Sequence, residues 1–583
     1  METNTAKQDS GKKYTFKYKN NSIPTPFQLT DSQTNALKKL IDFVNDDLKE
    51  EFITIQGAAG TGKTSTIGLL KQFTGENLVY LAPTHAATTE LGMATAKFGN
   101  RLMPMTVRSA MNSTYDFKTG KTDWGPSRKL GEALAMGGTM VIDEASMMNN
   151  ADYQNIKTVA RGLGVKIIFM GDKYQIPEVS TQNPSAKEIS KAFTENPLIE
   201  LTEVKRNDDP TVLSIWKALR TNRNGMIPEV ANTDKIKYLP LNGFWKDAIK
   251  SFKEDPEQSV IISYTNKKVS ENNKLMRQQL GYTGGLKVGE AVIGYPGYNA
   301  KQLQKGNLSN SVKYTVKEIT KVKSKYNISL SSKKIDVLAK AGYEISAKPY
   351  TQYRPLSKAD IIQFEDTTDN DFETNNTELS GVFRALFNAF TEAKQAKSGY
   401  LWKRYFGLLA STSEIMSTID LGNAYIYNPG TNRMELYIPN HTTKVNGKEY
   451  THAQLKSANP ILFVDKGIDF GYAITAHKSQ GANIEHVFYD TSDLPKGSTL
   501  ITEKGTTISS EKHALMYVGM TRSKNTLSIL KANDGNFYPL GTNPDQTTSA
   551  EKDLYDPSTF PSEAIHSAKD LGLDLEEGQF PNC

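Results

Sequence analysis

The stretch GAAGTGKT, from Gly57 to Thr64, has the residue types and spacing of a phosphate-binding loop. It follows the apolar run FITIQ and precedes the helical pattern STIGLLKQF, which is the context such a loop requires. Its glycines let backbone N–H groups surround phosphates, while Lys63 supplies charge and Thr64 a hydroxyl for Mg²⁺. The residues predicted to bind a nucleotide are Gly57, Ala58, Ala59, Gly60, Thr61, Gly62, Lys63 and Thr64.

Two further predicted strand ends carry polar residues suited to phosphate hydrolysis. Asp143 and Glu144 follow the apolar run of GTMVIDEAS, so Asp143 can hold a metal ion and Glu144 can deprotonate an attacking water. An acidic pair at a strand end also occurs as a helix cap, but the upstream loop favours catalysis. In IIFMGDKYQIPEV, a third predicted strand ends just before Asp172 and Gln175. The Gln175 amide can hydrogen-bond both the γ-phosphate and the water.

The elements that position these residues are short apolar runs alternating with helical patterns. FITIQG, NLVYLAPT, GTMVIDEA and GVKIIFMGD are typical of buried parallel strands in an open α/β sheet, whose ligand binds at the carboxyl ends. A second such region begins near QSVIISYTNKKV and resumes at DFGYAITAH. We therefore predict an α/β protein with parallel sheets, whose first domain spans 27–236 and whose second combines 237–284 with 464–532.

The remaining segments differ in composition and hydrophobic pattern from the two α/β regions. Residues 285–463 are predicted to form an inserted domain, because a Val-, Tyr- and Thr-rich part indicates a small β-barrel-like, SH3-like unit and ELSGVFRALFNAF onwards indicates a helical pair. A small hairpin insertion is expected at about 103–127. Polar composition predicts a flexible arm at 1–26 and a loosely packed tail at 533–583.

Bulk properties limit the classes of protein. A chain of 583 residues is too long for one hydrophobic core. No apolar stretch approaches the roughly 18 residues that cross a bilayer, and the polar start lacks a signal sequence, so we expect no membrane segment and a cytoplasmic location, the host cytoplasm for a viral chain. The single cysteine, Cys583, excludes an internal disulfide. A net charge of +6 leaves nucleic-acid binding open.

Further motifs resemble those of the superfamily 1B helicases, the branch that includes RecD-like and Dda-like proteins. LAPTHAATTEL resembles motif Ia, MTVRSAM motif Ib, GDKYQIPEV motif III, LTEVKR motif IV, YAITAHKSQG motif V and YVGMTRSKNTLSIL motif VI. Their order agrees with the family from about Leu29 to Leu530, and TNKKV resembles a Dda-type feature. Arg108 departs from the family, which often has His there, yet arginine can still contact a phosphate.

The resemblance implies two RecA-like domains face to face, with ATP in the cleft and a nucleic-acid strand across both domains. It implies an adenine contact from Gln33, cleft-facing positions for Gln480 and Gly481, and γ-phosphate contacts from Arg206 and Arg522. The implied catalytic set is Lys63, Glu144, Gln175, Arg206 and Arg522. The residues implied to contact DNA are Pro83, Thr84, His85, Thr106, Arg108, Ser109, Asn266, Lys267, Thr475, His477 and Lys478.

We therefore expect an ATP- and Mg²⁺-dependent DNA helicase that translocates on single-stranded DNA, with 5′→3′ polarity by resemblance, in replication, recombination or repair. The expected partners are single-stranded and forked DNA and a single-stranded-DNA-binding or other replication protein, and a monomer is expected. One alternative is an RNA helicase or RNA-dependent ATPase on the same core, because phosphate contacts discriminate poorly. The other is a nucleotide-gated nucleic-acid-binding protein without turnover, against which Glu144 and both arginines argue.

The stretch STYDFKTGKTDWG falls between motifs Ib and II, where Dda-like helicases carry their strand-separating pin. Tyr115 and Phe117 precede a turn at Gly120, and Trp124 follows it. We predict a β-hairpin that separates the duplex strands, braced by the inserted helical segment GYLWKRYF at 399–406. The alternative is a surface hairpin with partly buried aromatic residues.

Overall fold

The computed structural model describes most of the chain, and no helix within the described part has both the length and the apolar character needed to cross a bilayer. The described residues are 14–19, 21–75, 78–100, 102–111, 114–116, 121–135, 138–177, 186–205, 207, 209–221, 223, 225–283, 286–294, 312–322, 325–334, 336, 369–396, 399–416, 424–445, 447–458, 462–464, 468–495, 499–532 and 536–540.

The amino-terminal part of the chain contains eleven described strands and seven described helices. The strands are β1 Tyr14–Tyr18, β2 Asn21–Thr25, β3 Phe52–Gly57, β4 Leu78–Ala82, β5 Met105–Thr106, β6 Thr114–Asp116, β7 Lys121–Asp123, β8 Thr139–Ile142, β9 Lys166–Gly171, β10 Ala186–Glu188 and β11 Leu198–Leu201. The helices are α1 Asp31–Val44, α2 Lys63–Thr74, α3 His85–Ala96, α4 Val107–Ala110, α5 Arg128–Leu134, α6 Asn150–Leu163 and α7 Pro210–Thr221.

Six parallel strands form the sheet of the first domain, in the order β11-β3-β9-β8-β4-β5. Alternate side chains of β3 face opposite ways: Ile53 and Ile55 pack with α1 and α2, while Phe52 packs with the core on the α6 side. Because both faces are covered, β3 is buried along its whole length. This accounts for the continuous apolar runs in the sequence.

The rest of the chain contains the other described strands and helices. The strands are β12 Ile227–Glu229, β13 Ile236–Leu239, β14 Ser259–Ser263, β15 Ala291–Gly294, β16 Lys313–Val322, β17 Lys325–Ser331, β18 Tyr425–Asn428, β19 Arg433–Leu436, β20 Thr442–Val445, β21 Lys448–Thr451, β22 Phe463–Val464, β23 Ile468–Phe470, β24 Ala473–Thr475, β25 Ile484–Tyr489, β26 Leu500–Glu503, β27 Thr506–Ser510, β28 Ser523–Leu530 and β29 Phe537–Pro539. The helices are α8 Leu241–Glu254, α9 Asn266–Gln279, α10 Asp369–Ala396, α11 Gly399–Met416, α12 His452–Ala458, α13 Ala476–Ser479 and α14 Glu511–Met520.

A second parallel sheet, in the order β13-β28-β25-β14-β24, forms the second domain. Phe244 and Phe252 of α8 and Met276 of α9 bury their side chains with Ile261 of β14 in one core. The two parallel sheets with flanking helices have the RecA-like architecture, so the predicted fold class is confirmed at this level.

The inserted region begins with an antiparallel sheet in the order β17-β16-β15-β23. Strand β23 pairs with β15, with Phe470 opposite Val292. The inserted domain therefore extends beyond the predicted boundary at residue 463, because these hydrogen bonds attach 468–470 to it. The predicted helical pair is α10 and α11, which pack through Phe390 and Trp402, with ring centroids 5.8 Å apart.

Residues 14–19, 21–25 and 536–540, near the two ends of the chain, contain strands that the sequence did not indicate. Strands β1 and β2 pair antiparallel, and the Phe16 ring is buried edge-on against Phe73 with centroids 4.9 Å apart. Strand β29 pairs with β12 and buries Tyr538. The prediction of a flexible arm is therefore wrong for residues 14–19 and 21–25, and the prediction of a loose tail is wrong for 536–540, because Phe16 and Tyr538 are buried. Residues 1–13 and 541–583 lie outside the described residues.

Strands β6 and β7 pair antiparallel, with Tyr115 opposite Thr122, where the hairpin was predicted. Trp124 is partly buried against the first-domain core, so it lies at the base of the hairpin. Phe117 and Gly120 lie outside the described residues. The strand-separating role of this hairpin stays a prediction.

Segment 399–406, which was predicted to brace the hairpin, has some aromatic side chains in the interior of the inserted domain and others on its surface. Trp402 and Tyr405 are buried in its aromatic core, whereas Tyr400 and Phe406 are exposed. Only the two exposed rings are therefore available to contact another element.

A small sheet joins the two domains. Strand β10, which lies between β9 and β11 in the first-domain chain, pairs in parallel with β26, and β26 pairs with β27 of the second domain. This cross-domain sheet makes the chain that follows β9 a physical link across the cleft.

Candidate nucleotide and nucleic-acid sites

The loop from Gly57 to Thr64 connects β3 to α2 and contains two left-handed glycines, Gly60 with φ of 81° and Gly62 with φ of 83°. The N-cap residue of α2 is Gly62, which has no side chain to bond the first N–H groups of the helix. Such uncapped amides are suited to phosphate oxygens. The Lys63 ammonium donates to the carbonyl oxygens of Gly57 at 2.8 Å and Ala58 at 3.1 Å, so it lies over the loop.

Gln33 holds this loop against helix α1. Its Nε2 donates to the carbonyl oxygen of Thr61 at 3.0 Å, and its Oε1 accepts from the backbone N–H of Thr30 at 3.0 Å. A Cβ atom at Gly62 would lie 2.3 Å from Nε2 of Gln33, so the contact requires glycine there. The adenine contact of Gln33 stays a prediction, whereas its contact with the loop is a structural finding.

Asp143 and Glu144 follow β8, as the sequence indicated. Glu144 adopts a left-handed backbone with φ of 52°, which is strained for a residue with a side chain, and its Oε2 is buried without a hydrogen-bond partner. Burial, together with the charge of Glu144, raises the pKa of Asp143, while the nearby charge of Lys63 opposes the shift. Two neighbouring, partly buried carboxylates whose charges disfavour each other fit a divalent cation.

Asp172 and Gln175 follow β9 with different surroundings. The Asp172 Oδ2 atom is fully buried and accepts from the Arg220 guanidinium at 2.7 Å and the Tyr517 hydroxyl at 2.8 Å. The Asp172 carboxylate therefore forms a structural ion pair with Arg220. The Gln175 side chain is also buried, but its Oε1 has no hydrogen-bond partner, so this amide is available to a ligand.

Arg522 follows α14 of the second domain and is buried. Its Nε donates to the carbonyl oxygen of Val518 at 2.9 Å. Burial lowers the pKa of Arg522, and the negative charge of Glu144 opposes this, which places the guanidinium within electrostatic reach of the first-domain carboxylates. In the described part of the chain it makes no carboxylate ion pair. Arg206 lies outside the described residues, but the N–H of Lys205 donates to the carbonyl oxygen of Gly60 at 2.7 Å.

Motif V contacts the first domain directly beside the carboxylates. Gln480 is buried, its Nε2 donates to the Ser146 hydroxyl at 3.2 Å, and its Oε1 has no hydrogen-bond partner. A Cβ atom at Gly481 would lie 3.1 Å from Cβ of Ala87 and 3.7 Å from Oε1 of Glu144. Both residues therefore lie at the cleft between the domains.

The residues implied to contact DNA share one local geometry. Each group begins where a parallel strand ends and a threonine caps the following helix: Thr84 for α3, Thr106 for α4, Thr265 for α9 and Thr475 for α13. Two of these turns belong to each domain. The implied contacts that are exposed are His85, Arg108, Ser109, Asn266 and Lys267, and those that are partly or largely buried are Pro83, Thr84, Thr106, Thr475, His477 and Lys478.

Sequence reasoning did not identify several residues that join the domains. Glu90 of α3 accepts from Asn483 of the second domain at 2.8 Å and from Lys334 of the inserted domain. Arg220 and Tyr517 share Asp172. Such residues carry no local signal, because their partners lie far away in the chain. Glu90, inside motif Ia, and Tyr517, inside motif VI, had a context that indicated function.

Glu435, His441 and His452 form a group of possible metal ligands whose ligand atoms lie within 4.8 Å of one another. The Nδ1 atom of His452 accepts from the N–H of Ile438 at 3.2 Å, so a neutral ring carries its proton on Nε2, which faces Glu435 at 3.2 Å. A metal on Nε2 would require a proton on Nδ1, against that N–H. We therefore assign this group a structural role.

Two RecA-like domains whose facing edges bring together a phosphate-binding loop, a carboxylate pair and a buried arginine define a P-loop nucleoside triphosphatase. Residues 28–239 match a family model described as an AAA domain. An uncharacterized protein of Acanthamoeba polyphaga mimivirus is 21% identical over 506 residues, covering 80% of this chain and 94% of that protein. The ATP-dependent DNA helicase dda of Enterobacteria phage T4 is 27% identical over 290 residues, covering 46% of this chain and 60% of that protein.

Among solved structures, the Pif1 helicase from Bacteroides in complex with ADP-AlF3 and ssDNA is 14% identical, with a TM-score of 0.42 and coverage of 86% of this chain and 92% of that one. The chain is similar to the Dda and PIF1 helicases in its ordered motifs and in sequence, and its residues 28–239 match the AAA domain model. The chain spans less than two thirds of the Dda helicase.

Proposed function

We propose that this protein is an ATP-dependent DNA helicase that moves along single-stranded DNA and unwinds duplex DNA. The observation that carries the proposal is the position of motif V. Gly481 lies against Glu144 of the first domain, and Thr475 and His477, two residues implied to contact DNA, precede it in the same short segment. One segment therefore lies between the nucleotide site and the implied DNA path.

The named relatives support the same activity. The phage protein and the mammalian and amphibian PIF1 proteins are described as ATP-dependent DNA helicases. For this chain, the buried side-chain oxygens of Glu144, Gln175 and Gln480 that lack a hydrogen-bond partner are the features that a nucleotide with its attacking water would satisfy.

The chain's own residues account for ATP hydrolysis in one step. Glu144 accepts a proton from a water molecule while the water oxygen bonds to the γ-phosphorus, the bond to the β–γ bridging oxygen breaks, and ADP leaves. Gln175 orients the water. The Arg522 guanidinium stabilises the charge that develops, an effect worth about 10³ to 10⁵ in rate for comparable arginines. Arg206 is proposed to act in the same way.

Thr64 and Asp143 would hold Mg²⁺, which when bound supplies positive charge to the β- and γ-phosphate oxygens. Lys63 contributes further positive charge from the loop. The Asp143 carboxylate fits this role because burial and the neighbouring Glu144 both disfavour its charge in the absence of a cation.

Translocation follows from the capped turns in both domains. Thr84 and Thr106 begin helices in the first domain, and Thr265 and Thr475 begin helices in the second. Closing and opening of the cleft would change the distance between the two pairs, so each ATP cycle would move the strand. Binding directed at phosphates is sequence-tolerant and weakens with salt. The 5′→3′ polarity is proposed from the motif resemblance.

Finer features complete the proposal. The antiparallel sheet β17-β16-β15-β23 is proposed to be SH3-like, and the hairpin β6–β7 to separate the strands of a forked duplex. We propose that the protein works as a monomer in the cytoplasm, which is the host cytoplasm for a viral chain, with a single-stranded-DNA-binding protein or other replication proteins as partners.

The function is tested by strand displacement on forked, 5′-tailed and 3′-tailed duplexes, with and without ATP and Mg²⁺. The proposal expects ATP-dependent displacement of the forked and 5′-tailed substrates, together with phosphate release stimulated by single-stranded DNA. Equal stimulation by RNA of the same length would instead support an RNA-dependent ATPase. DNA binding without phosphate release would contradict an enzymatic function.

A further inference from the structure

The loop that carries Gln175 is attached to the second domain by an ion pair. The Lys173 ammonium lies 3.0 and 3.1 Å from the two carboxylate oxygens of Glu503, at the end of β26. The two side chains are only 16% and 26% exposed, so solvent screens this pair less than a surface pair. The pair therefore fixes a residue two positions before Gln175 to the second domain.

A second attachment follows in the chain. Strand β10 pairs with β26, with Lys187 opposite Ile501, and the N–H of Ile189 donates to the carbonyl oxygen of Thr502 at 3.0 Å. The Lys187 ammonium also donates to Glu511 at 2.7 Å, and these side chains are 7% and 14% exposed. Gln175 thus lies between a first-domain strand and a strand bonded to the second domain.

The side chain of Gln175 depends on this backbone for its position. Its Oε1 has no hydrogen-bond partner, while its backbone N–H donates to the carbonyl oxygen of Asp172 at 3.1 Å. Asp172 in turn accepts from Tyr517 of the second domain. The backbone that carries Gln175 is therefore attached to the second domain through Lys173 and Asp172, and the chain is attached to it again at β10.

The same contacts approach the implied DNA path. The Nε2 atom of His477 lies 3.7 Å from Oε1 of Glu511, the carboxylate that also bonds Lys187. A shift of motif V on binding DNA would act on Glu511 and, through Lys187, on strand β10, which follows Gln175 in the chain. Glu511 therefore contacts both a segment implied to bind DNA and the strand that pairs with β26.

We propose that the hairpin β26–β27 of the second domain positions Gln175 through the Lys173–Glu503 pair, so that it is required for stimulation of ATP hydrolysis by DNA. Lys173 and Glu503 are positioning residues, because neither reaches the nucleotide site itself. The proposal rests on the ATPase activity proposed above and assigns its regulation to a contact outside the catalytic set.

Charge exchange in the full-length protein tests the proposal. Lys173→Glu and Glu503→Lys are each expected to lower the DNA-stimulated kcat by about fivefold or more, as is typical of a coupling between sites. The dissociation constants for ATP and for single-stranded DNA are expected to stay at the parent values. The double variant, which restores opposite charges, is expected to recover most of the stimulated rate.

Lys504→Glu is the matched control, because Lys504 is exposed at the turn of the same hairpin and makes no ion pair among the described residues. It is expected to keep the parent rates. Lys173→Gln, which removes the charge at similar size, covers the case in which Lys173→Glu lowers the melting temperature, and its stimulated kcat is expected to fall equally.

Parent stimulation in Lys173→Gln, or losses in the single variants that the double variant does not recover, would overturn the positioning role. Failure of the proposed function is distinguishable from this, because the parent protein itself would then show no DNA-stimulated phosphate release.

Discussion

Gln480 of the second domain donates a hydrogen bond of 3.2 Å to the hydroxyl of Ser146, two residues after the carboxylate of Glu144. These residues are 334 positions apart in the chain, yet both are buried in the cleft between the domains. Motif V is therefore in contact with the segment that carries the carboxylates of Asp143 and Glu144. A change at the nucleotide site can reach the residues implied to contact DNA without passing through solvent.

Arg522→Ala is expected to lower ATP turnover by about 10³-fold or more, because a buried guanidinium near the carboxylates would stabilise transition-state charge. Single-stranded DNA binding without nucleotide is expected to persist. Phosphate release measures ATP turnover, and fluorescence anisotropy measures binding of single-stranded DNA. Lys524→Ala, at an exposed position two residues away, serves as the control. Loss of DNA binding with turnover intact per bound complex would argue against this role.

Gln33→Ala is expected to raise KM for ATP and for GTP alike, because the Gln33 amide holds Thr61 and Thr30 and so shapes the loop for any nucleotide. Steady-state kinetics with both nucleotides measure the effect. Lys38→Ala, at an exposed site on the same helix, should leave both KM values unchanged. A loss confined to ATP would show that the adenine contact dominates.

Replacing residues 115–123 by a short Gly-Ser turn is expected to abolish unwinding while DNA-stimulated ATP hydrolysis continues. Trp124 is kept, because it packs against the first-domain core and its removal would disturb the fold. An exposed aromatic can contribute about 1–3 kcal/mol by stacking on a base, comparable with about 1.4 kcal/mol for one base-pair step. Forked-duplex unwinding at the parent rate would place the separating element elsewhere.

The free energy of unfolding is expected to decrease as the pH is lowered, because of His513 in α14. Burial lowers its pKa to about 4, and the charge of Arg223 acts in the same direction. The ordinary value is about 6.5, so as pH falls below that value the unfolded chain binds the proton first. Stability is therefore lost between about pH 6.5 and pH 4, by about 3 kcal/mol in all.

The check is the melting temperature at about pH 7.5 and about pH 5 for the parent and for His513→Gln, which cannot titrate. The drop between the two pH values should be smaller in the variant. Equal drops would show that other groups govern the acid sensitivity.

The placement of the loop, the carboxylates and the amide at strand ends was predictable because its signals are local. The loop at 57–64, the carboxylates after β8 and the amide after β9 each follow an apolar run, and parallel strands place their carboxyl ends together. The sequence also indicated the second sheet and the helical pair. Phe16 and Tyr538 were misjudged because polar composition was given more weight than short aromatic runs, although Tyr14, Phe16 and Tyr18 alternate with polar residues as in a strand.

The contacts between domains were not predictable from one sequence. Tyr517 and Asp172 are separated by 345 positions, and their hydrogen bond depends on how two sheets face each other. The pairing of β10 with β26 likewise follows from the domain arrangement rather than from either segment's pattern. Local propensity determines that such strands exist, whereas tertiary packing determines their partners.

The most direct measurement of the central claim is phosphate release and forked-duplex unwinding by Glu144→Gln, with Lys63→Ala alongside it. Glu144→Gln removes the general base but keeps the site, so it should retain ATP and lose both hydrolysis and unwinding. Lys63→Ala should bind nucleotide poorly and lose both activities as well. Hydrolysis and unwinding at near-parent rates in either variant would contradict the assigned site and the ATP-driven function.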